Sequence, residues 1–224
     1  MNCDRSSSLY TALAGLAGTI LLIGSFVINP GPPASAGLDE VIEFGRQHAT
    51  SIMLGGWMQG MGSVLSVLFA VGLVQLARRA STLASWLTVL SGMAIVSATL
   101  IETASYFASL DAGLGDNQTV LATALTLLKA VQHLYLIVPA LLLPVGWTVL
   151  RTRLLPAVAG YTGLAVGAAL QVLGVANLFW PVQPIVDDVL IVQGVWFVAA
   201  SLMLGWQALA SGSPQSSSRP LAVA

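Results

Sequence analysis

Six stretches of this chain, at about residues 9–28, 52–77, 83–107, 121–150, 155–179 and 189–209, are each long and apolar enough to be a membrane span. A helix needs roughly 20 mostly apolar residues to cross the hydrocarbon core. The expectation is therefore an all-α, polytopic bundle of six transmembrane helices forming one domain over residues 1–210. Composition leaves no soluble alternative. Charged residues make up 8% of the chain and mean hydropathy is +0.87, whereas soluble domains carry about 25% charged residues. Too few polar side chains remain to cover a water-facing surface.

The charges that do occur are partitioned. Arg5 precedes the first run, Arg78 and Arg79 lie between the second and third, Arg151 and Arg153 between the fourth and fifth, and Arg219 after the sixth. Arg46 alone falls in a connection of the other set, with Asp39, Glu40, Glu43, Asp111, Asp116, Asp187 and Asp188. Basic residues stay on the cytoplasmic side, so both termini are expected in the cytoplasm. Ala34-Ser35-Ala36 matches a signal-peptide cleavage site, but the preceding run of 20 residues exceeds the usual ~7–15. It is read as a span. Pro139 and Pro144 are expected to kink the fourth span. Leu38, Val41 and Ile42 at helical spacing suggest a short interfacial helix over residues 38–49. Residues 211–224 have no periodicity and read as a disordered cytoplasmic tail.

Several functions are excluded early. Cys3 is the only cysteine, which rules out an intrachain disulfide and cysteine-based metal sites. No Walker loop, dinucleotide fingerprint or HExxH motif occurs, and no basic patch suits nucleic acid. No cofactor or metal is expected. Haem held by two histidines would need His48 to reach the level of His133, which its loop position opposes.

The basic turns serve as a ruler, because a helix rises about 1.5 Å per residue. Counting from Arg151 and Arg79 puts Lys129 and Glu102 roughly 33–34 Å away, at the outer edge of a ~30 Å core. His133, Gln171 and Gln59 fall about one turn deeper, and Gln193 in the sixth span is grouped with them. Glu102 and Tyr106 share a helix face at i,i+4, as do Lys129 and His133. Polar groups at this depth usually face a bundle interior or a wet cavity. Each also has a plainer reading: Lys129 snorkels to the headgroups, the glutamines and His133 bond between helices, and Trp196 packs.

The segment from His133 through GWTVLRTRLLPAVAG resembles a pattern in bacterial six-helix integral membrane proteins of unknown function. The matching residues are His133, Gly146, Arg151, Leu155, Pro156 and Gly160. The resemblance implies a multi-pass protein of the bacterial cytoplasmic (inner) membrane and no particular chemistry.

Two functional readings stand. In the first, an outward-facing polar pocket binds or senses a small amphipathic or lipid-like ligand. Glu102 and Lys129 stand at its mouth, with Gln59, Tyr106, His133, Gln171, Gln193, Trp57 and Trp196 as further ligand contacts. In the second, the chain is a membrane-embedded acid–base enzyme, an isomerase or cyclase acting on an isoprenoid or terpenoid. Glu102 is then the acid, assisted by His133, with aromatic residues stabilising a cation. Partners are membrane lipids in either case. The residues leave open whether the chain is catalytic and what its oligomeric state is.

Overall fold

In a computed structural model of the chain, residues 2–29, 36–77, 82–115, 117–137, 141–180 and 183–210 are described. Arg78, Arg79, Asp116, Pro139, the prolines at 30, 32 and 33, Ala34, Ser35 and the tail over 211–224 lie outside them. All regular structure among the described residues is helical: α1 (Asn2–Ile28), α2 (Leu38–Leu76), α3 (Thr82–Leu114), α4 (Gln118–Ile137), α5 (Leu142–Thr152), α6 (Ala157–Ala176) and α7 (Gln183–Ala210). Five of these, α1, α2, α3, α6 and α7, contain stretches long and apolar enough to cross a membrane. The chain is a multi-pass membrane protein.

The fourth run is described as two helices, α4 and α5, and the kink expected at Pro139 lies outside the described residues. Pro144 then sits in the first turn of α5. A helix has no internal partner for its first N–H groups, so a proline costs little there. Arg153 closes α5 in the left-handed region (φ 55°, ψ 31°), its N–H donating to the Val149 carbonyl at 2.9 Å. Pro156, extended at ψ 144°, then starts α6.

The expected interfacial helix over 38–49 is continuous with the second span. Asp39 and Glu40 lie in the first turn of α2, and the Gly37 N–H donates to the Glu40 carboxylate at 3.2 Å. Acidic residues there complement the helix dipole. One residue inside α2 is non-helical, His48 (φ −117°, ψ 17°). Its ring stacks on Phe44 with centroids 4.3 Å apart, and Nδ1 donates to the Phe44 carbonyl at 3.1 Å. That carbonyl would otherwise serve the backbone N–H of residue 48, so the side chain bends the helix by competing for its acceptor.

Neighbouring helices run antiparallel, packed through small residues, as bundles in lipid tend to be. A Cβ on Gly62 would stand 2.9 Å from the Gly18 carbonyl oxygen, and one on Gly146 would stand 2.9 Å from the Gly160 carbonyl oxygen. The α1–α2 and α5–α6 pairs therefore touch backbone to backbone. Phe69, Leu73, Val145, Leu170 and Leu204 fill the core between them. The ends of α1 and α3 and the starts of α2 and α4 share one end of the bundle, called upper here; the starts of α1 and α3 and the ends of α2 and α7 mark the lower end.

Exposed large apolar side chains draw a belt around the outside. On α2 they run from Met53 to Leu68, and on α3 from Leu83 to Ile101, with Leu114 beyond. Exposed aromatics edge it: Tyr10, Trp86, Trp147, Tyr161 and Trp206 toward the lower end, Trp57 and Trp180 toward the upper. Trp and Tyr favour membrane–water interfaces. Above Met53 the exposed helical residues of α2 are Asp39, Glu40, Glu43, Arg46, Gln47 and Thr50.

Candidate functional site

Glu102 is the one acidic or basic side chain buried among the described residues (8% exposed). It stands 19 positions above Leu83 on α3, roughly 29 Å along the helix. Gln59 stands 17 positions above Leu76 on α2, roughly 26 Å. The two meet: Gln59 Nε2 donates to Glu102 Oε2 at 2.7 Å. One turn of α3 carries a second link between the same helices, from Thr103 Oγ1 to the Gly56 carbonyl at 3.3 Å. An ionisable group at the edge of the hydrocarbon zone has thus been given a neutral amide partner on the neighbouring helix, as such groups require.

Above this pair the upper ends of α2, α3 and α4 enclose a cavity of about 110 Å³, open on one side. Its walls are Ile42, Phe44, Leu110, Leu121, Leu125 and Leu128 with other apolar residues; Tyr106, Asn29 and Ser109 supply the polar atoms. Tyr106 is one turn above Glu102, so the phenol ring lies between the cavity and the carboxyl pair. Ser109 Oγ already donates to the Ser105 carbonyl at 2.7 Å. Asn117 starts α4 beside the cavity, its Oδ1 accepting from the Val120 N–H at 3.2 Å.

A second, smaller cavity of about 30 Å³ lies lower, between α1, α2, α3, α5 and α7. Ser63, Ser66 and Gln193 face it. Ser66 Oγ is buried and has no hydrogen-bond partner. Its volume exceeds the roughly 10–15 Å³ that a water needs.

The residues singled out from the sequence therefore separate. Gln59 and Glu102 are joined and Tyr106 is close above them. Lys129 is exposed on α4. His133 belongs to α4, but its side chain lies outside the described residues. Gln193 lines the lower cavity, and Gln171 is half-buried on α6. Trp57 is 54% exposed and belongs to the aromatic edge. Trp196 is buried, its indole N–H donating to the Ala159 carbonyl at 2.8 Å. Reading by charge and depth passed over Ser63, Ser66, Asn29 and Thr103. The first two follow Gln59 along α2 at steps of four and three, a spacing that was visible in the sequence. Among the described residues, no three His, Cys, Asp or Glu side chains come together.

Chemically, the upper site offers hydrocarbon contact, one phenol, one carboxamide and a hydroxyl already bonded to its own helix. It can take an apolar group and orient a single hydrogen-bonding end. A family model described as a domain of unknown function (DUF4386) matches residues 7–208. No curated protein and no solved structure matches the chain.

Proposed function

We propose, for a chain that belongs to the DUF4386 family of unknown function, that it binds or senses a small amphipathic or lipid-like ligand at the upper end of its bundle. The reading places it in a bacterial cytoplasmic membrane with both termini in the cytoplasm. The bundle then crosses six times, α4 and α5 together making the fourth crossing. Arg5, Arg151 and Arg153 at the lower end and Asp39, Glu40, Glu43 and Asp111 at the upper end support that orientation.

One observation carries the ligand reading: the apolar cavity of about 110 Å³ opens directly above the Gln59–Glu102 hydrogen bond. Apolar walls with a few polar groups at one side are the usual make-up of a small-molecule site. Trp57 points outward and Trp196 is committed to Ala159, so the terpenoid-enzyme alternative gains no aromatic lining from them.

Mass spectrometry of molecules that co-purify with the protein tests this. Wild type is expected to retain an amphiphile that Leu121→Trp, which fills the cavity, does not. Equal retention by both proteins, with the fold of each checked by circular dichroism, would sink the proposal.

A further inference from the structure

The upper cavity lies beyond the apolar belt. Tyr106 is 23 positions above Leu83 and Leu114 is 31 above it, roughly 35 and 47 Å along α3, against a hydrocarbon core of ~30 Å. At this height the outer surface is polar on α2, with Glu43, Arg46 and Gln47, and mixed on α3 and α4, where Thr119, Thr123, Thr126 and Lys129 stand among exposed Leu114, Val120 and Leu127. The ends of three helices thus form a cap whose α2 side faces water and whose interior is Leu, Ile and Phe. The cap's cavity of about 110 Å³ opens on one side, so its apolar lining is a surface that an occupant would cover.

The size narrows that occupant. An apolar cavity of ~150 Å³ takes a benzene ring; this one is smaller, so a fused ring system does not fit and the end of one chain does. A chain already in the bilayer gains nothing by moving between two hydrocarbon environments. A chain arriving from water gains about 0.8 kcal/mol per methylene, which is about fourfold in affinity. Resting on the ligand-binding reading above, we infer that the occupant is the free end of a single hydrocarbon chain, belonging to an amphiphile captured from the aqueous side rather than a lipid read in place. The apolar walls, the water-facing α2 side and the height above the belt make the cap a receptacle at the aqueous edge of the membrane.

The test is equilibrium binding of linear fatty alcohols and fatty acids of increasing chain length to the full chain in amphipol, without added lipid. Affinity is expected to rise about fourfold per methylene and then level off once the cavity is full. Gly113→Phe, which projects a ring into the cavity, is expected to remove the saturable binding. Gly113→Ala is the folded control, because a Cβ there meets nothing nearer than 3.8 Å. Leu125→Trp serves if Gly113→Phe does not fold. A rise that never levels, or binding unchanged in the cavity-filling variant, overturns the inference. Saturable binding of a fused-ring amphiphile without any of a linear chain overturns it too, while leaving ligand binding intact. Absence of all saturable binding ends both readings.

Discussion

Gln59 and Glu102, 43 positions apart in the chain, meet through one hydrogen bond of 2.7 Å beside Ile101, where the exposed apolar belt of α3 ends. The bond ties the membrane-crossing part of α2 to that of α3 beneath the cap. Its strength is a thermodynamic question with a defined answer. In a double-mutant cycle using Gln59→Ala and Glu102→Ala, the coupling is expected at about 0.6–1.7 kcal/mol, the range of interhelical hydrogen bonds in lipid. Reversible unfolding in bilayer discs measures it. A coupling of zero would mean that the two side chains do not hold each other.

Trp196 supplies a second interhelical link, from α7 to the first turn of α6. Trp196→Phe keeps an aromatic ring beside Gly163 but removes the N–H that reaches Ala159 at 2.8 Å. The expected loss is about 1 kcal/mol, whereas Trp196→Ala also opens a cavity and costs about 3–5 kcal/mol. Equal losses for the two variants, read from the same unfolding experiment, would show that the hydrogen bond rather than the ring does the stabilising.

Two glycines on different helices should respond in opposite directions. Gly62→Ala places a Cβ 2.9 Å from the Gly18 carbonyl oxygen and 2.8 Å from Leu22. α1 and α2 must separate, at a cost of about 1–3 kcal/mol. Gly113→Ala makes only ordinary van der Waals contact, with Ile42 at 3.8 Å, and raises helix propensity, so stability should rise by up to about 1 kcal/mol. Thermal melts of the two variants against wild type check the signs.

Much of this arrangement was legible in the chain. Lipid admits helices wherever a run is long and apolar, so α1, α2, α3, α6 and α7 could be placed from hydropathy. Counting residues along helices of known rise put Gln59 about one turn below Glu102, and their side chains close that gap. What was hidden depended on contacts between distant positions. A run with Pro139 and Pro144 reads equally as one kinked helix or as two, because whether a proline interrupts a helix or begins one depends on where the helix before it stops. α3 continues two turns past Phe107 because Leu110 and Gly113 line the cavity opposite Leu121, a partner no local pattern names. Trp196 looked available to a ligand because its acceptor is the Ala159 backbone, and a carbonyl leaves no mark on a sequence. Gln193 lay at an unfixed height for want of a basic residue near α7, and it lines the lower cavity rather than joining Glu102.

The open side of the cap has a mechanical meaning as well. The ends of α2, α3 and α4 face one another across apolar walls around about 110 Å³, whereas the helices below touch backbone to backbone at Gly62 and Gly146. Segments with fewer buried contacts open at lower free energy, so the cap is the part of the bundle that loosens first. A chain end lodged among Leu121, Leu125 and Leu128 would bridge the three helices and act as their missing side chain.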